Sequence, residues 1–263
     1  MTLHMLRVDP DMRRAAAWGA ARGLTPEGAD QGYLWHALLT AVFGGMAPRP
    51  WRLMEPRADA RPAPGHRAPP HLLGYAEADG ATLGRHAALH ADPAAAIALG
   101  LDTLAVKRMP DAFPTGQRLR FEARVRPVTR SNLKPDGSRG GRDERNEIDA
   151  ALHAALAARE ADALAPLPDA EEVYKAWMAE HLARGGARAD MALMSLVWRR
   201  RSGVARRDAQ RRLTVSGRKG GGPDICLAGV LEVEDSLAFP ALLARGVGRH
   251  RAFGFGMLLL RPC

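Results

Sequence analysis

Nine histidines (positions 4, 36, 66, 71, 86, 90, 153, 181 and 250) and two cysteines, Cys226 and Cys263, carry most of the chemistry open to this chain. Two cysteines are too few for a disulfide framework or a cysteine zinc site. His86 and His90 have the spacing of a two-histidine metal pair. No glutamate separates them as in H-E-x-x-H, and the segment has the composition of a loop, so no metal site is assigned. There is no G-x-S-x-G, no P-loop, and no acidic cluster of the kind that holds two catalytic metals. Asp143, Glu144, Glu147 and Asp149 open a predicted helix, where carboxylates complement the dipole. If the chain cleaves anything, acid/base chemistry without metal or cofactor is the route left. RNA suits that route because its 2′-OH is a built-in nucleophile. A base removes the 2′-OH proton, an acid protonates the departing 5′-oxygen, and histidine can do either near neutral pH. His36 is the leading candidate, on a predicted helix within Tyr33-Leu34-Trp35-His36-Ala37-Leu38. His250 competes, set between Arg249 and Arg251, whose charges would depress its pKa if they lie close.

His250 belongs to a loop in which four glycines (Gly246, Gly248, Gly254 and Gly256) fall within eleven residues. Glycine lacks the Cβ that forbids positive φ, so such a loop turns tightly and approaches a ligand closely. A dinucleotide fingerprint must open a helix inside a βαβ unit. Here the short apolar run Met257–Leu260 follows instead and predicts a terminal strand. That context suits a phosphate backbone.

The charge balance points the same way. Lys+Arg number 38 against 29 Asp+Glu, a net +9 over 263 residues, and only four of the 38 are lysines. Arginine's planar fork pairs bidentately with phosphate and stacks on bases, so nucleic acid is the leading partner. An acidic protein or membrane surface comes second. With no apolar leader at the N-terminus and no spanning segment, a cytoplasmic protein that does not enter a membrane is expected.

These residues need elements to position them. Periodicity predicts a strand over 2–9, helices over 12–22 and 30–43, and strands at 51–54, 72–77 and 101–109, with a short helix at 93–99. This is the order of a ferredoxin-like unit. A second round follows. In 118–128, Leu119, Phe121, Ala123 and Val125 alternate with Arg118, Arg120, Glu122, Arg124 and Arg126. The spacing predicts a strand with an apolar core face and a cationic face turned to a partner or to solvent. Next come a basic loop over 130–142, helices over 143–163 and 169–184, and a strand or helix at 191–198. A run of seven arginines at 199–201, 206–207 and 211–212 follows. The segments 212–216 and 225–233 read as a hairpin around glycine-rich 217–222, and a helix over 236–245 precedes the glycine loop. The expected architecture is α+β: two tandem ferredoxin-like (RRM-like) domains, 1–112 and 113–263. The second carries a helical, arginine-rich insertion at about 143–212.

Together these features resemble the CRISPR repeat-processing endoribonucleases of the RAMP superfamily, chiefly the CasE branch and the related type IV processing enzymes. The likeness rests on Gly246-Val247-Gly248, on Ala252-Phe253-Gly254-Phe255-Gly256 before the last strand, and on the helix in which His36 stands seven residues before Phe43. The basic segment 119–142 adds to it. The resemblance implies metal-independent cleavage of precursor CRISPR RNA at the base of a hairpin repeat. His36 would be the catalytic residue, and the protein would stay on the RNA with other Cas effector subunits. Arg22, His250 and Arg251 are candidates for the transition-state cation or second acid/base. The RNA-contacting set is Gly246, Gly248, Arg249, Gly254, Gly256, Arg120, Arg124, Arg126, Arg130, Arg199, Arg200, Arg206, Arg207 and Arg211. Two other readings use the same arginines: a non-catalytic RNA-binding subunit of that superfamily, and a general basic nucleic-acid-binding protein.

Overall fold

Aspartate starts most of the helices. The computed structural model describes residues 2–27, 29–55, 69–132, 134, 137–141, 146–207, 213–216 and 221–263. Its first half runs β1 (His4–Val8), α1 (Met12–Ala20), α2 (Gly32–Phe43), β2 (Trp51–Met54), β3 (His71–Ala76), α3 (Gly80–His90), α4 (Pro93–Leu99) and β4 (Ala105–Arg108). Asp11, Asp79 and Asp92 accept first-turn N–H groups of α1, α3 and α4, satisfying donors that a helix cannot pair internally. The sheet order is β2-β3-β1-β4, all antiparallel, which is the ferredoxin-like arrangement. Leu34, Leu38, Leu39, Val42 and Phe43 of α2 are buried against Leu6, Val8 and Leu72 of the sheet. Helix α3 corrects the loop expected around His86 and His90. With Asp79 as its cap, the segment closes eleven residues of helix and sets the two rings 4.9 Å apart. Among the described residues no group of three potential ligands forms a metal site.

The second half repeats the plan through β5 (Arg118–Val125), β6 (Val128–Ser131), β7 (Asn146–Asp149), α5 (Ala150–Ala161), α6 (Ala170–Ala183), β8 (Ala187–Ala189), β9 (Ser195–Ser202), β10 (Val204–Arg207), β11 (Leu213–Ser216), β12 (Gly222–Val233), α7 (Ala238–Arg245) and β13 (Leu258–Pro262). Its sheet order is β13-β5-β12-β8, with β9 also on β12. Strands β8 and β9 thus share one edge, β8 at Leu231–Val233 and β9 at Gly222–Ala228. The helical part of 143–212 supplies the crossover between β5 and that edge, and its arginine-rich part supplies β9 and β10.

Two boundaries differ from expectation. The helix predicted from 143 begins at Ala150, because Asn146–Asp149 pairs with Val128–Ser131 as a hairpin. Asp149 caps α5 through Ala151 N–H and accepts the Tyr174 hydroxyl at 3.0 Å, while Asp143 and Glu144 lie outside the described residues. The hairpin expected between 212–216 and 225–233 is built otherwise. β11 pairs with β10, while β12 pairs with β5, β8 and β9, so the two legs are β9–β10 and β11–β12.

Both cysteines are free. Cys226 is buried, and burial pushes its thiol up to about 11, so it behaves as an inert core residue. No described helix is long and apolar enough to cross a membrane.

Candidate functional site

The glycine loop lies against the first turn of α2. A Cβ on Gly32 would fall 2.5 Å from the Phe253 carbonyl oxygen, so only glycine lets the helix and loop backbones meet this closely. Gly256 has φ near +80° and bonds at both ends, its N–H to the Arg124 carbonyl at 2.7 Å and its carbonyl to Val247 N–H at 2.8 Å. Trp51 of β2 donates its indole N–H to the Ala252 carbonyl at 3.0 Å. The loop is therefore fixed to α2, β2 and β5 together.

This seating brings His36 to Phe253, edge to face with ring centroids 5.2 Å apart. Tyr33, three residues earlier on the same helix face, stacks on Phe253 and lies 6.2 Å from the His36 ring. The His36 ring is half-buried and makes no hydrogen bond with the described residues. Its pKa is lowered, first by burial and then by the positive charge of Arg49. Both effects favour the free base, the form that accepts a proton.

Beside Phe253 opens a cavity of about 600 Å³ lined by Arg49, Arg245, Arg249, His250 and Arg251. Arg49, Arg245 and Arg249 are exposed there. Cations around a concave surface can bind a phosphate and stabilise charge that develops on it.

The candidate residues separate sharply by what they touch. His250 has a positive φ of 62°, and its Nε2 meets a Glu147 oxygen at 2.9 Å, with its side chain only 3% exposed. The neighbours expected to govern it were arginines. The packing gives it a carboxylate instead, shared with Arg249 Nε at 2.6 Å, so Glu147 fastens the β6–β7 hairpin to the loop. Arg22 pairs with Asp92 at 2.9 Å and lies over Trp18, which ties it to the cap of α4. Arg251 donates to the Arg245 carbonyl and keeps its place at the cavity wall.

The cationic face of β5 is exposed at Arg118 and Arg120 and turns inward from Glu122 onward. Arg124 donates to both oxygens of Asp224 at 2.8 and 2.7 Å and to Asp30 at 3.1 Å, and stacks on Phe255. Arg126, 5% exposed, donates to the Ser202 carbonyl at 3.0 Å, and Glu122 takes Arg52 of β2 at 2.5 Å. Through Arg124–Asp30 and Glu122–Arg52 that face joins the two halves of the molecule, and both Arg124 and Arg126 are engaged in contacts within the protein. Alternation reveals which side chains share a face, but not that another part of the same chain covers it. Arg120, Arg130, Arg199 and Arg200 remain on the surface, with Arg199 over Tyr174 and Arg200 over Trp198. Arg206 and Arg207 lie on β10, and Arg211 lies outside the described residues. Arg49, Arg245 and Tyr33 escaped the sequence reading. Tyr33 alone carried a usable signal, its i, i+3 spacing from His36.

Two antiparallel ferredoxin-like folds, with a glycine-bounded cationic cavity between Arg49 of the first and the glycine loop of the second, define the structural class. The CRISPR associated protein family model matches residues 3–262, and the chain belongs to that family. Among solved structures, the CRISPR endoribonuclease Cse3 bound to a 19 nt RNA is 22% identical, with a TM-score of 0.58 over 100% of both chains. Thermus thermophilus Cse3, bound to an RNA representing a pre-cleavage complex, is 20% identical with a TM-score of 0.56, again over 100% of each chain. Cas6e from Escherichia coli K-12 is 17% identical with a TM-score of 0.54 over 100% of both. At these identities the likeness is one of fold. No curated protein matches the chain.

Proposed function

We propose that this protein is an endoribonuclease of CRISPR RNA maturation, cutting precursor RNA at the repeat hairpin by 2′-OH attack without a metal. The observation that carries the proposal is a half-buried, neutral-leaning His36 held against Phe253, itself a wall residue of an arginine-lined cavity. Support comes also from the fold neighbours, which carry the name CRISPR endoribonuclease and were captured with RNA.

In this scheme the His36 imidazole takes the 2′-OH proton and the freed oxygen attacks the adjacent phosphorus. The bond to the 5′-oxygen breaks, leaving a 2′,3′-cyclic phosphate on one fragment and a 5′-OH on the other. The leaving oxygen takes its proton from the imidazolium so formed or from a group beside it, of which Tyr33 is nearest in ring distance. Arg49, Arg245, Arg249 and Arg251 stabilise the phosphorane. The chain divides near 112/113 into two domains, acts in the cytoplasm, and stays on its product within an effector complex of Cas subunits, as the resemblance to the CasE branch implies.

The test is His36→Ala with a labelled repeat hairpin in EDTA. Cleavage is expected to fall by about 10²–10⁴-fold, the usual contribution of a general acid/base, with binding within a few fold of wild type. Cleavage at the wild-type rate would remove His36 from the mechanism. A substrate with 2′-deoxyribose at the cut site is expected to stay intact.

A further inference from the structure

A second cavity, of about 540 Å³, lies on the other side of the α2 first turn. Its walls come from the two halves: Trp51–Met54 of β2 on one side and Trp198–Ser202, essentially β9, on the other. Among the described residues β2 pairs only with β3 and β9 only with β12, so each turns an unpaired strand edge into the gap. Edges of this kind offer backbone donors and acceptors at regular spacing. The volume falls within the range of small-ligand sites.

The side chains select a chemistry. Trp198 is half-exposed, with the Arg200 guanidinium over its ring at 4.9 Å, an arrangement that offers a broad stacking surface. Arg52, Arg124, Arg200 and Arg201 line the space against two carboxylates, Asp30 and Glu55. Asp30 is already held by Arg124 at 3.1 Å, and Glu55 stands exposed at the rim as an acceptor. Arg52, with its side chain 9% exposed, spends Nη2 on Glu122, while its Nη1 is buried without a partner. An unsatisfied buried guanidinium nitrogen is costly and marks a place where a further acceptor is wanted. A stacking ring, four lining arginines, of which Arg124 and Arg200 share the buried Asp224, and one carboxylate acceptor match the base, phosphate and exocyclic amino group of a nucleotide.

We propose that the cavity between β2 and β9 holds one unstacked nucleotide. Resting on the endoribonuclease reading above, the source is an unpaired nucleotide flanking the hairpin. Trp35 faces this cavity while its neighbour His36 meets the glycine loop. Strand occupancy here therefore anchors the RNA on the opposite side of α2 from the cut. A duplex cannot supply the ligand, because its bases are paired and stacked.

The experiment compares wild type with Trp198→Ala and Trp198→Phe. It uses three probes: a repeat hairpin with single-stranded flanks, the same hairpin with blunt ends, and cytidine monophosphate followed by tryptophan fluorescence. The expected result is a loss of about tenfold or more in affinity for the flanked hairpin with Trp198→Ala. Trp198→Phe should restore most of it, and blunt-hairpin affinity should not change. Saturable quenching by the mononucleotide that Trp198→Ala abolishes would also support the site and would name a free nucleotide as its ligand. Equal affinity of wild type and Trp198→Ala for the flanked hairpin, together with no saturable quenching, overturns the proposal. Should wild type bind neither hairpin, the endoribonuclease reading fails while the mononucleotide titration still decides the cavity. If Trp198→Ala melts early, Arg201→Gln takes its place, with the same split between flanked and blunt RNA expected.

Discussion

Two parts of this molecule are almost equally rich in arginine and do opposite things. At the end of β5, Arg124 and Arg126 are held inside the protein, matched to Asp224, to the Ser202 carbonyl and, from the first half of the chain, to Asp30. Around the glycine loop, Arg49, Arg245 and Arg249 stand exposed at the rim of a cavity, and of these only Arg249 has a carboxylate partner among the described residues. The difference lies in the geometry of the backbone beneath them. A strand in the middle of a sheet presents its second face to whatever packs there, and here that is the first half of the chain. A loop held open by left-handed glycines projects its side chains outward from a fixed frame. Composition counts these arginines alike, but the second group stands exposed toward an external phosphate.

Three substitutions break or sharpen that contrast. The largest effect is expected from Arg124→Ala, which leaves Asp224 fully buried without its bidentate partner and Asp30 without its cation. Removing one member of a buried ionic network costs about 3–5 kcal/mol. Chemical denaturation should show that loss. A stability change under about 1 kcal/mol would mean that β5 does not join the halves as described.

Arg245→Gln is the reciprocal case. Its stability should stay within about 0.5 kcal/mol of wild type, as for most surface changes. RNA affinity should fall several-fold, and the slope of log affinity against log salt should shrink by roughly 0.7–0.9 for the lost phosphate contact. An unchanged salt slope would take Arg245 out of the interface.

The smallest effect, and the most specific, belongs to Arg49→Gln. Burial and the Arg49 charge both lower the His36 pKa below its ordinary value of 6.5. The base form therefore persists to lower pH than in a free imidazole, and cleavage should lose rate only on the acid side of that value. Removing the Arg49 charge raises the His36 pKa, so the acid limb of the pH–rate profile should move to higher pH. A limb that stays put or moves the other way would show that the titrating base is not His36 or that Arg49 does not face it.

Much of the fold could be read in the chain. The apolar spacing of Tyr33–Phe43 and the strict alternation of Leu119–Val125 are local patterns, and local patterns survive into α2 and β5. Helix α3 was missed because its weakly apolar sequence Gly80–His90 has little amphipathic contrast, and its start depends on one bond from Thr82 N–H to Asp79. The β11–β12 hairpin was misread because glycine-rich 217–222 looks like a turn. Yet β12 finds better apolar partners in β5 and β9, and β11 folds back on β10.

What the sequence by itself determined is the periodic framework: two rounds of ferredoxin-like elements, a histidine on the first long apolar helix, and a glycine loop before the last strand. These are properties of near neighbours in the chain, set by side-chain period, by helix caps and by residues that can adopt positive φ. Only the tertiary structure decided which charges remain available. Burial, and the company of residues some 100 positions away, gave Glu147 to His250 and Asp30 with Asp224 to Arg124. The same packing set His36 on Phe253, at the edge of a cavity whose cations come from the β2 approach, α7 and the glycine loop. Charge is a property of a residue, but its effective strength depends on what surrounds it, and that is fixed only when the chain packs.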